Sequence, residues 1–575
     1  MREKTTIIRA KNVLGLAGMA SILAWTTYGT TAGVLGMIAY LAVGLLGVFP
    51  WIIPFAGIPL GLLDFVVIPG IGMYEVTLKI AHIEPSWLAA LWYLIVVVVA
   101  GIAGLIFSGM LWNALFRKQP RPRNLALINC HIIDGRRDSS VIDDGVILVR
   151  NISEKGEKPG CIAAVGPAAE ISVPEGYEKI DIGGQYVLPG FINAHCHLIS
   201  SGKPTFLARI ISENEYITDK LAALLTTLPG KYLFLKMMEK NTRNALHSGV
   251  TTIRTLGDLA WLDVKLRDMI DTNKILGPRM LVSGPIICPT GGHGSYMALT
   301  ADSVGEFARA VRTNLHKQVD WIKIASTGGV MDARSIGEAG RPQMTVEEIE
   351  TVCTHAHQGG FMVATHCESS MGIEDALTGG VDTIEHGAYI PENMVSLFKN
   401  NPKALRGYTV LVPTISAPMG LATLPMEVTK ISEMSFKNSK IVGREMIKGL
   451  RRAYAEGIVL GVGTDASVPY VPHYEFWKEV AYMLHYTDMS PQLAIYMATL
   501  GNAQALEIAA ETGSIEAGKS ADLQVLPTNP LDNINVLANV SQVFIRGHLI
   551  DKPRVNRVKT LDKTPIPEIL EVSDE

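Results

Sequence analysis

Between residues 187 and 506 the chain repeats one pattern: a short apolar run, a longer stretch of helical character, then another apolar run. The runs lie at 187–192, 251–255, 280–283, 321–325, 362–365, 383–385, 408–413 and 459–463. Eight strands with helices between them are the arithmetic of a β/α-barrel, whose strands are covered on both faces and therefore read as continuous apolar runs. The rival is an open doubly wound sheet, but no glycine-rich dinucleotide turn follows the first run. The expected fold class is α/β, a (β/α)8 TIM-type barrel over residues 189–506.

The flanks have a different texture. Short apolar runs at 125–128, 145–149 and 161–165 are separated by Asp, Gly and Pro signals, and the same texture returns at 522–526 and 543–545. Such runs read as β-strands. The two flanks, 124–188 and 507–560, are expected to pair into one small composite β-sandwich, with 154–160 as a surface loop and 561–575 as a tail.

Composition matters for the first 116 residues. Apolar residues make up 48% of the chain, and residues 12–63 and 85–116 carry no charge at all. Each stretch is long enough to cross hydrocarbon, and two in succession read as a retained anchor, not as a cleaved signal peptide. Arg2, Lys4, Arg9 and Lys11 precede the first stretch, Arg117, Lys118, Arg121 and Arg123 follow the second, and only Lys79 lies between. Both flanks are thus expected on the cytoplasmic side, which requires two or four spans. The expectation is a multi-pass membrane protein whose catalytic domain is cytoplasmic, with the lipid bilayer as a partner and room for homo-oligomerisation through the helices.

Six cysteines are scattered with no C-x-x-C pair, so reduced thiols are the default. A net charge of −4, with no basic tract outside the flanks of the apolar stretches, gives no electrostatic case for nucleic acid.

Chemistry gathers at the ends of the expected barrel strands, where such barrels carry their sites. His195 and His197 close the first run, and in an extended segment residues i and i+2 point the same way, so both imidazoles can reach one cation. Lys323, His366, His386 and Asp465 occupy the ends of the fourth, fifth, sixth and eighth runs. Singly, each has a bland reading, a snorkelling lysine or a hydrogen-bonded core histidine. Together they place ligand-type side chains on five of eight strands, where unpaired charges would be costly and a shared metal centre would satisfy them.

This set resembles the amidohydrolase superfamily over about residues 125–550. The loop P-T-G-G-H-G at 289–294 and the run K-I-A-S-T-G-G-V at 323–330 are similar to the branch that contains amidohydrolase-type Xaa-Pro dipeptidases (prolidases) and ochratoxinase-like amidases. The tail G-S-I-E-A-G-K-S-A-D-L at 513–523 is a further mark of the superfamily. The resemblance implies two divalent metal ions, usually Zn2+, with His195, His197 and Asp465 holding one, His366 and His386 the other, and carbamylated Lys323 bridging them. It implies hydrolysis of an amide or peptide bond, in a small dipeptide or N-acyl amino acid type substrate, by a hydroxide shared between the metals, with Asp465 carrying the proton.

His293 is expected to face the substrate, its alternative being a loop histidine that caps a turn. Where relatives often carry His or Tyr after the fifth-strand ligand, this chain has Cys367-Glu368. A carboxylate there disfavours an anionic substrate group and favours an amine, guanidine or neutral amide; alternatively Glu368 points away and caps the next helix. Two rival functions are a mononuclear deaminase of the same superfamily and a catalytically inactive membrane-anchored sensor.

Overall fold

The computed structural model describes residues 122–152, 158–204, 225–561 and 569–572. Its strands, in chain order, are β1 (Leu125–Ile132), β2 (Ile142–Arg150), β3 (Cys161–Pro167), β4 (Glu178–Pro189), β5 (Phe191–Cys196), β6 (Val250–Thr255), β7 (Arg279–Val282) and β8 (Ile287–Cys288). They continue with β9 (Leu299–Thr300), β10 (Ile322–Ala325), β11 (Val363–Cys367), β12 (Thr383–His386), β13 (Val410–Val412), β14 (Leu523–Leu526), β15 (Gln542–Ile545) and β16 (His548–Ile550).

Both flanks enter a single seven-stranded sheet of order β16-β15-β14-β4-β1-β2-β3, in place of the two layers of the expected sandwich. Alternation drives it. Leu125, Leu127, Ile147, Val149, Val187, Leu523 and Phe544 cluster on one face, while Ala126, Val146 and Leu148 pack with Ala164, Ile171 and Val173 on the other. Asn129, at φ 55°, marks a register shift between Leu127 and Cys130. Strand β4 was not foreseen at its full length, because Asp181, Gly183, Gly184 and Gln185 break its apolar character.

The expected run at 187–192 is two strands. It is divided at Gly190, where a Cβ would sit 2.2 Å from the Thr251 side chain, so β4 stays in the flanking sheet and β5 starts the parallel set. Parallel strands β5-β6-β7 form one sheet and β13-β12-β11-β10-β8-β9 another. Between these sheets, the Asp320 amide donates to the Val282 carbonyl at 2.7 Å, and the Ala194 amide donates to the Val462 carbonyl at 2.9 Å.

The eighth expected strand, 459–463, is not a strand; it joins β13 through one parallel bridge, Leu411 to Leu460. Gly461 and Gly463 explain this. A Cβ on Gly463 would lie 2.7 Å from the His195 backbone nitrogen, so the segment packs flat against β5 instead of pleating regularly. Asn502 does the pairing there: its side chain accepts from the Val462 amide at 2.8 Å and donates to the carbonyls of Ile192 at 2.6 Å and Val462 at 2.8 Å.

Helices cover the parallel strands: α1 (Leu228–His247), α2 (Leu262–Asp271), α3 (Val304–His316), α4 (Val346–Gln358), α5 (Ser370–Gly379), α6 (Glu392–Lys399), α7 (Ser416–Thr423) and α8 (Glu433–Ala455). Their starts are written locally. Ser303 caps α3 by accepting from the Glu306 amide, and Thr345 with Glu348 forms a reciprocal capping box on α4. Helix α4 turns Ile349, Val352, Cys353 and Ala356 into the main core. All six cysteines are free.

The expectation of a multi-pass membrane protein is corrected: no helix among the described residues is long and apolar enough to cross a membrane. The stretches 12–63 and 85–116, on which that expectation rested, lie outside the described residues. Apolar length measures the cost of leaving water; a span also needs a helix of about 20 residues to satisfy its backbone.

Asn502→Ala removes the side-chain partner of the buried Val462 amide and Ile192 carbonyl, while the Val462 carbonyl keeps the Ala194 amide, and a net cost of about 2 kcal/mol is expected from the groups left unpaired. Differential scanning calorimetry should show the melting temperature falling by a few degrees; an unchanged melting point would mean that water replaces the amide.

Candidate metal centre

Strand β5 carries His195, His197 follows just past its end, and the segment after 459–463 returns Asp465 to face them. Asp465 Oδ1 lies 3.3 Å from His195 Nε2 and 3.1 Å from His197 Nε2. The other nitrogen of each ring is already committed. His197 Nδ1 donates to the Gly257 carbonyl at 2.9 Å, and His195 Nδ1 lies 2.8 Å from Glu385 Oε2, to which it donates. Both Nε2 atoms therefore turn lone pairs toward a carboxylate oxygen, a repulsive arrangement unless a cation lies between them.

His195 Nε2 and Asp465 Oδ1 are buried without a hydrogen-bond partner, and the three side chains offer ligand atoms within 4.8 Å of one another. One divalent cation fits this donor set. Asp465 takes φ 57° and His386 φ 71°, left-handed backbone that L-residues adopt at a cost, at segment ends that carry candidate ligands.

The register of β10, β11 and β12 sets Lys323 beside Ala364, His366 beside Glu385 and Cys367 beside His386. The His386 ring lies 5.0 Å from His195 and 4.6 Å from His366, and His293 stacks on His366 at 3.9 Å. Four imidazoles thus run in an unbroken row. Lys323 is 1% exposed, and its Nζ has no hydrogen-bond partner. Burial brings its ammonium down to about 8, and burial above all drives His366 and His386 well below the usual histidine range, leaving them neutral. Lys323, His366 and His386 border the His195–His197–Asp465 set without belonging to it.

Several supporting residues were not foreseen. Glu385 is fully buried between His195 and Arg254, whose guanidinium lies 2.8 Å away, donates to the Ala194 carbonyl at 2.6 Å and stacks 4.4 Å from the Trp321 ring. Burial would raise the Glu385 carboxyl, but Arg254, then His195, hold it well below its ordinary range. Thr414 stands 2.7 Å from His386 Nδ1, and the next two amides, Ile415 and Ser416, both donate at 2.7 Å to buried Glu479. A charge in T-I-E-H and in T-I-R-T, each on an apolar run, was a visible signal for Glu385 and Arg254. Nothing local marked Glu479.

His293 is no turn cap: its Nδ1 bonds Asp332, which with burial opposing raises its pKa, and a Cβ on Gly329 would lie 2.5 Å from that nitrogen. Glu368 does not cap α5, whose N-cap is Ser369, accepting from the Gly372 amide at 3.1 Å. Instead Glu368 turns inward, with Oε1 3.9 Å from His366 Nε2, and burial pushes its carboxyl up to about 8.

Residues 186–550 match the amidohydrolase family. The ochratoxinase of Aspergillus niger is 24% identical over 426 residues, covering 68% of this chain and 82% of its own. Among solved structures, a prolidase candidate from Bifidobacterium longum superposes with a TM-score of 0.66 at 38% identity, over 77% of this chain and 98% of its own. A Xaa-Pro dipeptidase with bound methionine in its active site gives a TM-score of 0.63 at 29% identity, over 74% of this chain and 100% of its own. With a family match over more than half its length, and with donor atoms gathered as that family's chemistry requires, this chain belongs to the amidohydrolase family and is a hydrolase acting on carbon–nitrogen bonds.

Proposed function

We propose that the chain is a binuclear amidohydrolase cleaving the amide or peptide bond of a dipeptide or N-acyl amino acid. The observation that carries this reading is the convergence of buried, unpartnered donor atoms, His195 Nε2, Asp465 Oδ1 and Lys323 Nζ, on one row of imidazoles. In this reading residues 189–506 close as a (β/α)8 barrel, supported by the hydrogen bonds that join the two parallel sheets. Residues 124–188 and 507–560 are its composite β domain, and 561–575 is a tail. The likeness to a prolidase candidate and a Xaa-Pro dipeptidase supports a small amide or peptide substrate.

His195, His197 and Asp465 would hold one divalent cation, zinc being the usual choice, and His366 and His386 a second. Lys323 would bridge them as a carbamate, formed by addition of carbon dioxide to the free amine with loss of one proton. Such metals, when bound, supply Lewis acidity, polarising a carbonyl and making water acidic near neutral pH. The protein's residues do the rest. Asp465 takes a proton from the attacking water and returns it to the leaving nitrogen. His293, held by Asp332, presents its free edge to the substrate. Glu385 keeps His195 in the tautomer that leaves Nε2 unprotonated, and Gly257 does the same for His197.

Elemental analysis of the purified protein should give about two metals per chain, with a fall in Lys323→Ala. One metal, indifferent to Lys323, would favour a mononuclear deaminase, and none after metal-replete purification would sink the hydrolytic centre. Glu385→Ala should weaken metal binding by about 10–100-fold, measured by competition with a chelator. Because it strands buried Arg254, it should also destabilise the fold by about 3–5 kcal/mol; unchanged metal affinity would remove Glu385 from the centre.

A further inference from the structure

Two glycine-rich segments that stand out in the sequence, 289–294 and 323–330, meet at a side chain that neither contains. Gln343 accepts from the His293 backbone amide through Oε1 at 2.9 Å. A backbone N–H only donates, so the carboxamide is oriented: Oε1 faces His293, and Nε2 lies on the Gly328 side. The glycines make room for it. A Cβ on Gly292 would sit 3.1 Å from Oε1, and a Cβ on Gly328 would sit 3.0 Å from Nε2.

Gln343 is itself fixed. Residues 326–343 form a hairpin beyond β10, in which the Gln343 amide donates to the Ser326 carbonyl at 2.8 Å, the Gly328 amide donates to the Arg341 carbonyl at 2.9 Å, and Thr327 bridges Pro342. Asn438 of α8 anchors this hairpin, accepting from the Gly337 amide at 2.7 Å and donating to the Ser335 carbonyl at 3.0 Å. From the same hairpin Asp332 bonds His293 Nδ1, and Gly329 lies bare against the ring. His293 is thus gripped twice by one element, at its backbone through Gln343 and at its ring through Asp332. The start of its loop is held separately, where Thr290 donates to Asp302 from its amide at 2.9 Å and from its hydroxyl at 2.6 Å.

The backbone grip matters because the loop has little stiffness of its own. Gly291 and Gly294, both at φ 71°, leave the chain free to hinge on either side of His293, and a ring bonded only at Nδ1 would rock with it. A group that meets substrate has to be held to within about 0.5 Å. We propose that Gln343 is a positioning residue: it locks the 289–294 loop to the 326–343 hairpin, so that the two move as one body and His293 meets the substrate from a single place. Its effect runs through His293. This rests on the reading above in which His293 faces the substrate, and adds to it the group that keeps the ring there.

The test uses full-length, metal-replete protein and Gln343→Met, which keeps the length of the side chain and removes the acceptor. Hydrogen exchange read by mass spectrometry should show residues 289–297 exchanging about tenfold faster in the variant, with helices α3 and α4 unchanged. With dipeptides and N-acetyl amino acids as the substrate panel, kcat/KM on the best of them should fall about tenfold at unchanged metal content. In a His293→Ala background the same substitution should cost no more than about twofold, because a positioning residue has nothing left to position; a residue that merely supported the fold would cost as much there as in the parent. Unchanged exchange, a loss of full size in the His293→Ala background, a His293→Ala variant as active as the parent, or a fall in metal content each overturns the proposal. If Gln343→Met does not accumulate, Gln343→Asn, whose oxygen stops one methylene short, carries the same expectations. The two readings fail separately. Turnover with unchanged exchange removes the lock and leaves the hydrolase, whereas faster exchange in a protein that cleaves no amide removes the hydrolase and leaves the loop locked by Gln343.

Discussion

Glu385 is a carboxylate with no access to water, and its charge is tolerated because Arg254 lies on one side of it and His195 on the other. The three side chains come from β12, β6 and β5, strands far apart in the chain, so the pairing ties those strands together at the depth where the ligands emerge. It also sets a direction. A histidine that gives its Nδ1 proton to a buried carboxylate must turn an unprotonated Nε2 the other way, and here that way is toward His197 and Asp465. Removing the charge would leave Arg254 buried without its partner and His195 free to change tautomer.

Outward from that chain, the centre is built by short-range constraint. Gly463 lets the segment before Asp465 lie against β5, and left-handed backbone at Asp465 and His386 swings both side chains off the strand line toward a common point. Glu479 clamps the two amides that follow Thr414, and Thr414 in turn holds His386. Left-handed backbone at two ligand-bearing residues and the buried charges of Glu385, Arg254 and Glu479 thus all bear on this one centre. Such a distribution is expected of a site held rigid by packing, with specificity left to the loops around it, as with Asp332 in the loop after β10.

Much of this was legible in order along the chain. The apolar runs anticipate β6, β7, β10, β11, β12 and β13 to within a few residues, because a strand buried on both faces must be apolar throughout. The run at 187–192 misled because β4 and β5 are both apolar and only the close approach of Gly190 to Thr251 separates them. The run at 459–463 misled because composition cannot show that Asn502, from a distant helix, would supply hydrogen bonds that a ladder would otherwise make. The apolar N-terminal stretches were read for length, which says what a segment avoids and not what it forms.

By itself the sequence determined the kinds of atoms available, namely which strands would be buried, which of their ends carried imidazole, amine and carboxylate, and that these were too many to be unpaired in a core. That follows from residue type and local period, both of which are properties of short segments. Only the tertiary structure decided which nitrogen of each histidine is free, that Glu385 and Arg254 neutralise one another, and that Glu368 turns inward with an unpartnered oxygen instead of capping α5. Those are contacts between segments brought together by folding, and their geometry depends on register and close approach, which no single segment contains.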